Sequence, residues 1–269
     1  VHIAEKYKIP QSVVGAGYVG FGTSAPEWVA STIAVLQGDL PLAIGNIVGS
    51  NIANSLLVLA VMFLTIGNQV NKKMYLNSVA SNLMLVVTLL FISGYLIVSG
   101  FSKTMGFSLL VFMVFAIRSL VKEEANLEGD SINEEKMENL AFRSILSISA
   151  TIYGSKLVVD NAIELANIFN ISSLIVGVVV VAFGTSLPEI VSTISASKMN
   201  KPEIVFGNIF GSNLFNIGLV GGTSIVIAPG AVDFGIHYQL LTMFAASVLV
   251  VLISKSIIRK NIGIGIVLF

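Results

Sequence analysis

Long apolar runs separated by short polar loops dominate the chain. A bilayer's hydrocarbon core takes about 20 apolar residues to cross as a helix. Runs of that kind cover roughly 10–36, 40–66, 74–98, 104–121, 142–166, 172–198, 202–228 and 237–255, with a ninth beginning near 261. Backbone polar groups in lipid must be satisfied within their own segment, so each run reads as helix. The predicted fold class is all-α, a polytopic membrane protein. Charge is nearly absent inside the runs. Glu27 is the only charged residue in 10–36, Glu189 the only one in 172–197, and 74–98 and 237–254 have no Asp, Glu, Lys or Arg.

The loops fix the topology. With the N-terminal stub on side A, Lys6, Lys8, Lys72, Lys73, Arg118, Lys122, Lys136, Arg143, Lys198, Lys201, Lys255, Arg259 and Lys260 all fall on that side. Side B has Lys103 alone, and Lys156 lies inside a run. By the positive-inside rule side A is cytoplasmic, and one miscounted span would scramble the asymmetry. The expected location is the plasma or inner membrane. The one substantial linker, 122–141, carries Glu123, Glu124, Glu128, Asp130, Glu134, Glu135 and Glu138. It reads as a solvated acidic connector or, more sharply, a regulatory loop, and it divides the chain into halves 1–121 and 142–269.

Composition agrees. Hydrophobic residues make up 55% and charged residues 11%, where soluble domains carry about 25% charge. Cysteine is absent and net charge is zero, so disulfides, thiolate metal sites and nucleic-acid partners find no support. The chain starts at Val1 and ends in a nine-residue apolar run, Asn261–Phe269. It reads as a fragment lacking a first span and most of a last one.

The halves share motifs. Phe21-Gly22-Thr23-Ser24-Ala25-Pro26-Glu27 recurs as Phe183-Gly184-Thr185-Ser186-Leu187-Pro188-Glu189, and Gly45-Asn46-Ile47-Val48-Gly49-Ser50-Asn51-Ile52-Ala53-Asn54 recurs as Gly207-Asn208-Ile209-Phe210-Gly211-Ser212-Asn213-Leu214-Phe215-Asn216. Both recur at an offset of 162, with 13 of 17 positions identical. Corresponding runs stand five spans apart, and an odd shift reverses direction through the bilayer. The halves are therefore inverted repeats, an arrangement typical of secondary transporters with a site at the midplane. All four motifs fall at run centres, where polar residues are costly and usually functional.

The residue types suit a hard cation, which takes oxygen ligands. Pro26 and Pro188 each remove a donor and break or kink a helix, and carbonyls of Gly20 and Ala182 are the expected freed ligands. Ser24 and Glu27 share one helix face; Asn46, Ser50 and Asn54 form a stripe at four-residue spacing. Ser186, Glu189, Asn208, Ser212 and Asn216 repeat the set. Two carboxylates balance one Ca2+ or two Na+. Asn46 and Asn208 read as braces of the break rather than ligands, and Asn51 and Asn213 as structural. Gly45/Gly49 and Gly207/Gly211 allow close helix approach. Lys156 and Asp160 read as an intrahelical ion pair, Trp28 as packing.

GTSAPE and GTSLPE, followed by GNIVGSNIAN and GNIFGSNLFN, resemble the two alpha repeats of the sodium/calcium exchanger family of the cation/Ca2+ antiporter superfamily. The resemblance implies ten spans in a five-plus-five inverted arrangement with discontinuous helices. It implies electrogenic exchange of several Na+ for one Ca2+ by alternating access, with run 142–166 sliding against the motif-bearing core. It assigns ion coordination to Thr23, Ser24, Glu27, Ser50, Asn54, Thr185, Ser186, Glu189, Ser212 and Asn216. Many members carry Asp where this chain has Asn216. No resident cofactor is implied; Ca2+ and Na+ are substrates, and oligomeric state is not legible. H+/Ca2+ or other cation antiport is the alternative, because glutamates at low dielectric can carry protons. An enzyme finds no support: His2 and His237 stand at span edges, so no His is embedded in a span to activate Ser24 or Ser186, and Asp160 is the only intramembrane Asp. A passive channel would lack counterflow.

Overall fold

The computed structural model describes residues 20–66, 78–124, 137–232 and 236–255, together with Val267. The ninth run apart from Val267, and residues 125–136 of the acidic linker, lie outside the described residues. Among the described residues the fold is helical, with one isolated antiparallel bridge between Phe101 and Gly230.

The first half contains α1 (Gly20–Thr23), α2 (Ala25–Leu36), α3 (Leu40–Ala53), a π turn (Asn54–Val58), α4 (Leu59–Ile66), α5 (Ser78–Val98) and α6 (Lys103–Glu124). The second contains α7 (Met137–Phe169), α8 (Ser173–Val176), a π turn (Gly177–Val181), α9 (Ala182–Thr185), α10 (Leu187–Lys198), α11 (Pro202–Phe215), a π turn (Asn216–Gly221), α12 (Gly222–Ile227) and α13 (Ile236–Ser254). The helix starts are chemically marked. Asp39 caps α3 by accepting from the Leu42 N–H at 2.9 Å, and proline occupies the first turn of α2, α3, α10 and α11; at α3 and α11, which no helix runs into, its missing N–H costs nothing.

Among the described residues five helical segments are long and apolar enough to cross a membrane: Leu40–Ile66, Val79–Val98, Lys103–Leu120, Pro202–Ile227 and Ile236–Ser254. A sixth is the pair Ser173–Thr185 and Leu187–Lys198, bent by 42°. Burial separates centre from rim. In the apolar 18-residue stretch of each segment, 94% of residues are buried within 202–227 and 67% within 40–66, against 39%, 33% and 44% within 79–98, 103–120 and 236–254. The three outer helices turn residues such as Leu89, Leu96, Phe107, Val111 and Leu241 outward, as a lipid-facing surface requires. α7 departs from the expected 142–166 run. At 33 residues it is about 50 Å long, it extends into the linker, and it is more polar than the five apolar segments.

Glycine lets the two central layers touch. A Cβ on Gly45 of α3 would collide with the Leu174 carbonyl and come within 3.0 Å of the Gly177 Cα, and one on Gly49 would meet the Ala182 Cβ at 2.7 Å. A Cβ on Gly20 would stand 2.8 Å from the Ser212 backbone nitrogen. Close approach through small residues replaces the missing hydrophobic drive between helices in lipid. Here it joins one half to the other.

Candidate ion-binding site

Each copy of the glutamate motif forms two short helices meeting at a serine. Ser24 (φ −80°, ψ 0°) joins α1 to α2, and Ser186 (φ −82°, ψ 5°) joins α9 to α10. The break is a bend rather than an unwound segment. The Ser24 N–H still donates to the Gly20 carbonyl at 3.1 Å, and the Ser186 N–H to the Ala182 carbonyl at 3.0 Å. The expectation that these two carbonyls are freed is therefore corrected. Proline deprives the carbonyl four residues before it, so the carbonyls short of a donor are those of Gly22 and Gly184. Glu27 and Glu189 sit in the first turns of α2 and α10, where the helix dipole favours a carboxylate.

The halves interlock crosswise. Thr185 donates to Asn46 Oδ1 at 3.1 Å, and its counterpart Thr23 donates to Asn208 Oδ1 at 3.2 Å. Thr23 also lies 3.2 Å from Ser212 Oγ. Ser50 and Ser212 each donate to the asparagine one turn earlier, at 3.4 and 3.3 Å. Ser186 of the second half donates to Glu27 Oε1 at 3.3 Å, and Thr185 stands beside the same carboxylate. Thr23 and Ser212 lie beside the Glu189 carboxyl without satisfying it, since both its oxygens lack a partner. Ser186 stands three residues before Glu189, so its bond to Glu27 brings the two motifs together at one site.

Nine of the ten residues singled out by sequence are buried; Thr23 is half-buried. Asn54 and Asn216, each the first residue of a π turn, are wholly buried with neither amide atom partnered. The Asn54 turn packs on the helix of Glu189, and the Asn216 turn on the helix of Glu27. Ser24 Oγ and Glu27 Oε2 also lack partners. Buried polar atoms are normally hydrogen-bonded. A cluster of unpaired oxygens around two carboxylates is a donor set fitted to a desolvated hard cation.

Some of the surrounding contacts were expected from sequence, and those of Ser31, Thr223 and Gln37 were not. Asn46 donates to Ser31 Oγ at 2.9 Å and to the Glu27 carbonyl at 3.3 Å; Ser31 and Thr193 are a hydroxyl pair at the same 162 offset, a signal that extending the repeat would have found. Trp28 does more than pack, donating to Thr223 Oγ1 at 3.2 Å. Asn213 donates to Ser55 Oγ at 2.9 Å and, at 3.5 Å, to the carbonyl of Asn51, its own repeat partner, which agrees with a structural role. Lys156 and Asp160 form the expected pair, and Asp160 also accepts from Gln37 Nε2 at 3.0 Å, tying α7 to the end of α2. His237, expected at a span edge, is exposed and stacks edge-on to Tyr95.

Two oppositely directed broken helices that bring carboxylate, hydroxyl and amide oxygens to one buried point define an inverted-repeat membrane transporter for cations. The chain belongs to the sodium/calcium exchanger family, whose model matches residues 1–121 and 140–269, and its class is cation/Ca2+ antiport. It is 34% identical over 244 residues to the inner membrane protein YrbG of Escherichia coli, covering 86% of this chain and 74% of that protein. It is 28% identical over 293 residues to the sodium/calcium exchanger MaX1 of Methanosarcina acetivorans, covering 93% and 83%. Among solved structures it is similar to the sodium-calcium exchanger NCX_Mj soaked with 2.5 mM Na+ and 0.1 mM Ca2+, with a TM-score of 0.72, 27% identity, and coverage of 99% of this chain and 86% of that one.

Proposed function

We propose that this protein exchanges Na+ for Ca2+ by alternating access at the site shared by Glu27 and Glu189. The observation that carries this reading is the crosswise closure of the two inverted halves around two carboxylates whose oxygens are only partly satisfied. Two negative charges in a water-poor setting match one Ca2+ or two Na+, so the two ions compete for one charge-balanced pocket. Thr23, Ser24, Ser50, Asn54, Thr185, Ser186, Ser212 and Asn216 supply the neutral oxygens that take the place of hydration water. Relatives named sodium/calcium exchangers support the choice of ions. The charge asymmetry of the loops and the inner-membrane name of one relative support an inner-membrane location with residues 122–141 in the cytoplasm.

Ca2+ uptake into proteoliposomes under an outward Na+ gradient tests this directly. Uptake is expected with Na+ inside and not with choline inside. Uptake driven instead by a pH gradient, and indifferent to Na+, would replace Na+ by H+ as the coupling ion.

A further inference from the structure

The buried face of α10 continues beyond Glu189. Its buried residues are Glu189, Thr193, Ala196 and Ser197, so three of the four are polar and stand one turn apart on a single stripe. Thr193 is 1% exposed and Ser197 4% exposed, and neither hydroxyl has a partner. Ser224 of α12 and Ser247 of α13 are likewise buried without a partner, but their helices carry no carboxylate. Thr65, Thr88, Ser119, Thr223 and Thr242 each donate to the carbonyl one turn back at 2.7–2.9 Å, the ordinary refuge of a helical hydroxyl. The carbonyls of Glu189 and Thr193 are within the same reach of Thr193 and Ser197 and are not used. α10 instead packs on α4 and α11. α4 offers only apolar side chains from its buried face (Leu59, Ala60, Met62, Phe63 and Ile66), and on α11 the Asn208 Nδ2 is itself unpartnered.

The first half lacks this feature. Ser31, the counterpart of Thr193, is taken by Asn46 at 2.9 Å. Val35, buried at 4% exposure, stands where the second half has Ser197. The stripe therefore leads from the carboxylate in one direction only. Glu189 to Ser197 spans about 12 Å along the axis, close to the half-thickness of the hydrocarbon core at about 15 Å. Just past Ser197 come Lys198, exposed Met199 and Lys201.

We propose that Thr193 and Ser197 line the route along which a desolvated cation passes between Glu189 and the membrane face bearing Lys198 and Lys201. Each hydroxyl offers an oxygen one helical turn from the last, so hydration water is exchanged stepwise as in other ion pathways. This rests on the antiport reading.

The chain has no cysteine, so full-length single-cysteine variants S197C and V35C need no background removal. In proteoliposomes, a membrane-impermeant methanethiosulfonate applied to each face separately is read by Ca2+ flux and by mass. Modification of S197C is expected from the Lys198 face, slowed by Ca2+, with flux falling at least about tenfold, while V35C keeps its flux. S197V, which copies the first half, is expected to insert normally and to lose flux by a similar factor. Full flux in modified S197C or in S197V, or equal reactivity of S197C and V35C, overturns the proposal. The unmodified chain is the control for the reading beneath it: absence of gradient-driven flux there would sink antiport itself.

Discussion

Thr185 of the second half donates to Asn46 of the first at 3.1 Å, and Thr23 of the first donates to Asn208 of the second at 3.2 Å. Each asparagine thus ties its own helix to the opposite broken helix. The carboxylates are held by a lattice that neither half can complete alone. Asymmetry within this lattice also distinguishes the halves. Asn46 uses both ends of its amide, whereas the Asn208 Nδ2 stands unpartnered.

Glu27→Gln and Glu189→Gln are expected to reduce Ca2+ flux by at least about a hundredfold each, because ligand charge sets affinity for a hard dication. Flux in proteoliposomes, with insertion checked by detergent-stable gel filtration, measures this. Flux near wild type in either variant would remove the carboxylate pair from the mechanism.

Asn216→Asp adds a third carboxylate to a wholly buried position whose amide atoms have no partner. Ca2+ affinity or the Na+ Hill slope is expected to change while the fold persists. The titration of Ca2+ flux against Na+ reads both quantities, and identical curves would place Asn216 outside the ion's reach.

The two asparagines should differ in their structural weight. Asn46→Ala breaks bonds to Ser31, the Glu27 carbonyl, Ser50 and Thr185, whereas Asn208→Ala breaks those to Thr23 and Ser212. A net difference of about 1–2 kcal/mol is expected, with Asn46→Ala the less stable. Thermal unfolding in detergent compares them; equal midpoints would contradict the asymmetry.

Gly45→Ala forces a methyl against the backbone of residues 174–178, while Gly22→Ala meets nothing within 4 Å. Overpacking of this kind costs about 1–3 kcal/mol. The first variant is expected to unfold several degrees earlier and the second to match the parent, again by thermal unfolding.

Much of the fold was legible because lipid leaves few options. Apolar run length gave the helices, and the paired motifs at one offset named the residues that the fold buries together. The pairing of Lys156 with Asp160 followed from spacing alone. What escaped was what depends on backbone detail or on residues outside the motifs. A proline shows which N–H is missing, yet whether the chain bends or unwinds there depends on Ser24 and Ser186 keeping their bonds to Gly20 and Ala182. The π turns at Asn54 and Asn216 leave no compositional trace. Trp28 gave no hint of Thr223, 195 residues away.

Those two wide turns begin 162 residues apart, the same count that separates the motifs. A π turn is a one-residue insertion into a regular helix. Both halves therefore widen the corresponding helix 27 residues past their glutamate, so a substitution that straightens the turn in one half leaves the other as its internal control.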